Sequence, residues 1–202
     1  MNARRWVLAL GTVAIESTTH AQTPAAAQPP RAGGRRNTAV MTLTSPSFTD
    51  GGKIPAKHAQ LGNETSPPLR WTGVPDSIVG FVLLVHDADA ATGNGTDDVM
   101  HWLLWSIPAT ARELTEGLPY RSRLDDGTRQ ISASGPYYRG PAAPATGPAH
   151  HYVFELFALD TTLDVPAVGA SPAATRAAVM AAMAGHVRGK GVLVGLYKRP
   201  ST

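Results

Sequence analysis

The sequence predicts a mostly β domain of the sandwich or Greek-key type. Four apolar runs have the length of strands, at residues 79–86, 101–107, 152–159 and 192–197. Most are apolar on both faces, as in strands that are covered on both sides. Glycine and proline are dense from residue 44 onward. Short strands with such connections favour a sandwich or Greek key over a βαβ sheet.

The first element in chain order is an export signal, which we predict at residues 1–21. Positive charge at 2–5 precedes an apolar run at 6–15, and the small residue Ala21 follows at the cleavage position. The apolar run has the length of a signal peptide and is too short to span a bilayer. We therefore expect a periplasmic or secreted protein with no stable membrane span.

Residues 22–37 have the sequence QTPAAAQPPRAGGRRN, which lacks apolar periodicity. Such a segment buries too little surface to offset its ordering entropy, so we interpret it as a disordered linker before a domain at 38–202. Residues 1–37 hold five arginines and one acid, which leaves 13 basic and 14 acidic side chains in the domain. Because the domain carries no basic excess, we predict no nucleic-acid partner.

One segment of the domain departs from the β pattern. Ser171 and Pro172 are typical of a helix N-cap and first turn, and residues 173–184 are rich in alanine and methionine. The sequence therefore predicts a helix that packs on a sheet. Its predicted packing face consists of four residues at helical spacing: Ala177, Met180, Ala181 and Ala184.

Acids and histidines gather where the predicted strands end. Asp87 and Asp89 follow the first long strand, His101 opens the next one, and His150 opens a third. Two carboxylates near two imidazoles are able to bind a metal, to transfer protons or to hold a phosphate. The absence of cysteine excludes a cysteine nucleophile and Cys-ligated metal sites. The sequence also has no G-x-S-x-G elbow and no phosphate loop.

The domain resembles the phosphatidylethanolamine-binding protein family in its bacterial Raf-kinase-inhibitor-like branch. The matches, in chain order, are LTSPSF at 43–48 with DGGKIP at 50–55, SPPLRW at 66–71 with GVP at 73–75, DADAA at 87–91, HW at 101–102 with IP at 107–108, GP at 140–141 with HHY at 150–152, and MAGHV at 183–187 with LVGLY at 193–197. Each match is short, but all six occur in register over residues 41–199.

The resemblance implies an antiparallel β fold with a large sheet, a smaller sheet and peripheral helices. It also implies a small pocket for phosphate or a phospholipid head group, with no cofactor and no metal. The residues that match the family's pocket motifs are Asp87, Asp89, His101, Gly140, His150 and Tyr152, of which Asp89 is the one expected to be structural rather than in contact with a ligand.

Three departures from the family pattern concern the pocket. Ala88 and Ala91 stand where the family's DPDAP motif has prolines, so we expect a less pre-organised loop. His151 replaces the arginine of HRY and lacks its bidentate fork. Glu64 stands where this branch usually has asparagine. These changes bear on the identity of the ligand rather than on the fold.

Three functions are compatible with these residues. The first is an exported, non-enzymatic protein that binds a small anion or a phospholipid head group. The second is an inhibitor or regulatory partner of a periplasmic protease or another enzyme, although the sequence contains no identifiable reactive loop. The third is an enzyme in which Asp87, His101 and His150 transfer protons.

Overall fold

A computed structural model describes residues 38–201. The predicted signal peptide and linker, at residues 1–37, lie outside the described residues. The ten strands of the described part are β1 (Ala39–Val40), β2 (Thr42–Thr44), β3 (Gly52–Lys53), β4 (Leu69–Thr72), β5 (Gly80–Thr92), β6 (Asp97–Pro108), β7 (Glu113–Leu114), β8 (Arg129–Ile131), β9 (His150–Leu159) and β10 (Val187–Tyr197). A 3₁₀ helix at Ala56–His58 and an α-helix, α1, at Pro172–Met183 complete the described elements.

The long strands form one large sheet in the order β1-β10-β9-β5-β6-β8, and β3 also pairs with β10. Strand β9 is antiparallel to both β5 and β10, whereas the short strands β1 and β3 run parallel to β10. The large sheet is therefore mixed at its β10 side. The order β9-β5-β6-β8 places the fourth of these strands beside the first, which is the Greek-key arrangement. The predicted fold class is confirmed.

A smaller sheet, β2-β4-β7, covers one face of the large sheet. Trp71 of the smaller sheet packs edge-on against Phe81 of β5, with 5.4 Å between ring centroids. Successive residues of β5 alternate between two cores: Leu83 belongs to the core beneath the smaller sheet, and Leu84 to the core beneath α1. This double coverage is the reason that the central strands are apolar on both faces.

Helix α1 begins where the sequence predicts, since the Ser171 hydroxyl accepts a hydrogen bond from the Ala174 N–H at 3.2 Å. The predicted packing face, however, is wrong: Ala177, Ala181 and Ala184 are exposed, and Met180 is 38% exposed. The helix instead buries the row Thr175, Val179 and Met183. Valine and a methionine on one row remove more apolar surface from water than a row of alanines, so they decide which face turns inward.

The two strands that carry the acidic motif and His101 are longer than their apolar runs. Strand β5 continues through Asp87 and Asp89 to Thr92, and β6 begins at Asp97, so the two form a ribbon beyond the core. The acidic motif therefore lies within a strand rather than after it. Among residues 38–201 no helix has the length and apolar character that a bilayer crossing requires.

Candidate functional site

Three neighbouring strands bring the matched residues together. Asp87 of β5 lies directly opposite Tyr152 of β9 in the antiparallel register, and His150 begins the same strand. On the other side of β5, Val85 pairs with Trp102 and His86 pairs with Met100, so His101 is the extra residue of a β-bulge in β6. Bulges re-aim side chains.

Asp87 is the centre of the cluster. It is buried, with 4% of its surface exposed, and its carboxylate oxygens lie 2.9 and 3.1 Å from His150 Nδ1. Oδ1 also accepts hydrogen bonds from the N–H groups of Asp89 and Ala90, at 3.0 and 3.2 Å. The segment that lacks the family's prolines is thus held by hydrogen bonds to Asp87 and by strand pairing instead of by fixed φ angles.

His101 is buried, and its Nδ1 lies 2.8 Å from the carbonyl oxygen of Arg139. Because a carbonyl oxygen only accepts, Nδ1 carries the proton. Burial lowers the pKa of His101, aided by the positive charge of Arg139 and opposed by the charge of Asp87 and by carbonyl hydrogen bonds. The neutral ring therefore presents an Nε2 lone pair at neutral pH, and it becomes a second donor only when it is protonated.

Tyr152 connects the strand to the loop that carries Gly140. Its hydroxyl oxygen accepts hydrogen bonds from the N–H groups of Ala142 and Ala143, both at 3.1 Å. Its ring meets the His101 ring edge-on at a centroid distance of 5.0 Å. Burial raises the pKa of the phenol, so it stays neutral. Tyr152 therefore holds the Gly140 loop in place and packs against the ring of His101.

The backbone around position 140 leaves room only for glycine. A Cβ at this position would lie 2.5 Å from the carbonyl oxygen of His58, so the backbone at 58–60 leaves no room for a side chain. The Gly140 N–H donates to Glu64 Oε1 at 3.2 Å, and its carbonyl accepts from Gln60 Nε2 at 2.9 Å. The sequence identified Glu64 as a departure from the family pattern but did not place its carboxylate in the site.

The Asp89 carboxylate pairs with His151 rather than with the other matched side chains. Its Oδ2 accepts from the backbone N–H of His151 at 2.6 Å and lies 2.8 Å from His151 Nδ1. These hydrogen bonds lower the pKa of Asp89, with the backbone N–H contributing most. Asp89 also lines a shallow hollow of about 240 Å³ with His86 and Asp98. The structure thus places Asp89 with His151, next to the cluster rather than within it.

The arrangement offers a defined set of groups to a ligand. His150 keeps 21% of its side chain exposed, whereas His101 is 3% exposed, so the cluster opens on the His150 side. The ring of His150 is the exposed donor of the cluster, Asp87 and neutral His101 are acceptors within it, and the Gly140 N–H of the adjoining loop is paired with Glu64. Among residues 38–201, no group of three or more His, Asp or Glu side chains has an arrangement that could hold a metal ion.

Comparisons with known proteins cover most of the domain. A family model described as phosphatidylethanolamine-binding protein matches residues 44–198. A UPF0098 protein of Methanothermobacter thermautotrophicus is 40% identical over 161 residues, which are 79% of this chain and 99% of that protein. The "Putative lipoprotein LppC" of Mycobacterium tuberculosis is 30% identical over 184 residues, which are 90% of this chain and 79% of that protein.

A solved structure agrees with the sequence comparisons. The crystal structure of Escherichia coli YbcL, described as a new member of the mammalian PEBP family, is similar with a TM-score of 0.67 and 25% sequence identity, and the match covers 79% of this chain and 98% of that one. The family model spans Glu64, Asp87, Gly140 and Tyr152 and therefore includes the whole cluster. The chain belongs to the phosphatidylethanolamine-binding protein family.

Proposed function

We propose that this protein is an exported, non-enzymatic binding protein whose site takes phosphate, a phospholipid head group or a similar small anion. The observation that carries the proposal is the convergence of Asp87, His150, His101 and Tyr152 beside the Gly140 loop. Asp87 holds His150 by two contacts of 2.9 and 3.1 Å, and the Tyr152 hydroxyl holds the loop.

The chemistry of these groups suits an oxyanion. A ring nitrogen of His150 and the loop N–H are donors of the kind that phosphate oxygens accept. The buried carboxylate of Asp87 accepts from His150 and fixes the orientation of its ring, which reduces the ordering cost of binding. The family description, which names a phospholipid, supports the same class of ligand.

Export is the second part of the proposal. The pattern at residues 1–21 is that of a secretory signal peptide, and the similar Mycobacterium tuberculosis protein bears the name "Putative lipoprotein LppC". N-terminal sequencing of the mature protein tests this part: an intact Met1 on the secreted form would contradict it.

Calorimetric titration with inorganic phosphate and with O-phosphoethanolamine tests the binding proposal. We expect His150→Asn to weaken binding by about tenfold or more, the usual loss when a hydrogen bond to a charged ligand is removed. His186→Asn is the matched control, because this exposed ring pairs with Asp160 just beyond the opposite end of β9 and its replacement should leave the affinity unchanged. Equal affinities of the wild type and the His150 variant would refute the proposed site.

A further inference from the structure

The loop N–H that would receive an anion already has an anionic partner. The Gly140 N–H donates to the Glu64 carboxylate at 3.2 Å. Glu64 is half-buried, and its charge contributes, after burial and Tyr152, to raising the pKa of Tyr138, which is fully enclosed. The carboxylate is therefore held against the Gly140 loop and is only partly exposed to solvent.

The contact between Glu64 and Gly140 is not needed to join the loop that carries Glu64 to the loop that carries Gly140. Gln60 already links them twice: its backbone N–H donates to the Pro141 carbonyl at 3.1 Å, and its Nε2 donates to the Gly140 carbonyl at 2.9 Å. Glu64 also has a φ of +48°, a left-handed conformation that glutamate adopts rarely and at a conformational cost. The position of Glu64 thus has a cost, although its contribution to loop attachment duplicates that of Gln60.

We propose that the Glu64 carboxylate is an internal occupant of the anion position at Gly140 and that it determines which anions this site accepts. The inference rests on the proposed function. An incoming oxyanion gains the Gly140 N–H only by displacing Glu64, and it then lies close to that negative charge as well as to Asp87. A like charge within about 4–6 Å disfavours a charged group by the equivalent of one or more pKa units.

The consequence is selectivity by charge. Inorganic phosphate carries only negative charge and meets the full repulsion of Glu64. A phosphate ester with a primary ammonium group meets less repulsion from Glu64, because the ammonium is able to pair with the displaced carboxylate. Glu64 therefore selects against free phosphate and in favour of zwitterionic phosphate compounds.

The test compares Glu64→Gln and Glu64→Ala with the wild type, using inorganic phosphate and O-phosphoethanolamine as probes in calorimetric titrations. Glutamine keeps an acceptor for the Gly140 N–H and removes the charge, whereas alanine removes both. We expect Glu64→Gln to bind phosphate at least about tenfold more tightly than the wild type does. Glu64→Ala should bind phosphate at least as tightly as Glu64→Gln does. The gain for phosphoethanolamine should be smaller in both variants.

Glu113→Gln provides the matched control, because it removes the same charge from an exposed pair with Arg70 on the smaller sheet. It should leave both affinities unchanged, and thermal unfolding should show that all three variants are folded. Unchanged phosphate affinity in folded Glu64→Gln, with a wild type that does bind, would overturn the role of Glu64 and leave the proposed function standing. Failure of every variant and of the wild type to bind either probe would overturn both.

Discussion

His150 and Asp87 form the central contact of the site, with His150 Nδ1 at 2.9 and 3.1 Å from the two carboxylate oxygens of Asp87. The same carboxylate accepts the N–H groups of Asp89 and Ala90. One buried side chain therefore fixes both an imidazole from β9 and the course of β5 beyond the core.

Replacement of Asp87 tests this double role. Asp87→Ala leaves two backbone N–H groups and a ring nitrogen without their acceptor, so we expect a loss of about 2–3 kcal/mol in the free energy of unfolding. Asp87→Asn keeps one acceptor oxygen for the backbone, and its loss should be about 1 kcal/mol. Urea denaturation measures both. A loss below about 0.5 kcal/mol for alanine would show that water replaces the carboxylate at little cost.

Tyr152→Phe isolates the hydroxyl that holds the Gly140 loop. The Ala142 and Ala143 N–H groups lose their shared acceptor, while the contact of the ring with His101 is preserved. We expect a loss of about 1–3 kcal/mol in the free energy of unfolding and faster hydrogen exchange at both amides. Tyr137→Phe, which removes an exposed hydrogen bond to the Ser134 carbonyl, should have little effect. Unchanged exchange at Ala142 and Ala143 would contradict the proposed anchoring.

The protonation state of His101 predicts a pH-dependent choice between anions. Burial lowers its pKa, so near pH 7.5 its Nε2 accepts a hydrogen bond and favours an oxyanion that carries a proton. Hydrogen phosphate should then bind more tightly than sulfate, which carries none. As the pH falls through the lowered pKa of His101, the ring gains a second donor, and the difference should narrow. Titrations at pH 7.5 and at a series of lower pH values measure this, and a preference for phosphate that stays constant throughout would contradict it.

The effect of pH on stability should depend on His86, which lies away from the proposed ligand. Its Nδ1 is 2.5 Å from Asp98 Oδ2, its Nε2 is 3.5 Å from Glu155 Oε2, and Asp98 also pairs with Arg176 of α1. The ionic contact with Glu155, opposed by burial and aided by the charge of Asp98, raises the pKa of His86. The same contact, together with that of Lys190, lowers the pKa of Glu155 to about 2.

The signs of these shifts define a pH window for the stabilisation. The contribution of His86 is fully present below its unfolded pKa of about 6.5 and is lost as the pH rises through its higher folded pKa. The contribution of Glu155 is present above its unfolded pKa of about 4.3 and is lost as the pH falls toward its folded value. In urea denaturation, His86→Gln should therefore cost more stability at pH 6 than at pH 9. An equal cost at both values would show that the ring is not charged in the folded protein.

Much of the large sheet was predictable because burial on both faces leaves a clear record in the sequence. Residues 79–86 and 152–159 are apolar runs except for His86 and Glu155, and both runs are covered on two sides in the structure. The packing face of α1 was not predictable from spacing alone. Alanine is compatible with either face of a helix, and the larger side chains Val179 and Met183 determined the outcome.

The site was predictable only in part. Asp87, His101, His150 and Tyr152 were identified through short motifs, but their convergence depends on strand register and on the bulge at His101, neither of which periodicity specifies. The proposed role of Glu64 depends on a contact between positions 76 residues apart in the chain. The one available signal was an acid in place of the asparagine that the related branch carries.

The most direct test of the central claim is a nuclear magnetic resonance titration of the histidine ring signals with O-phosphoethanolamine. The claim predicts that the resonances of His101 and His150 shift together and saturate with one affinity, while those of His186, which pairs with Asp160 elsewhere, stay in place. Unchanged His101 and His150 signals at millimolar ligand would contradict it.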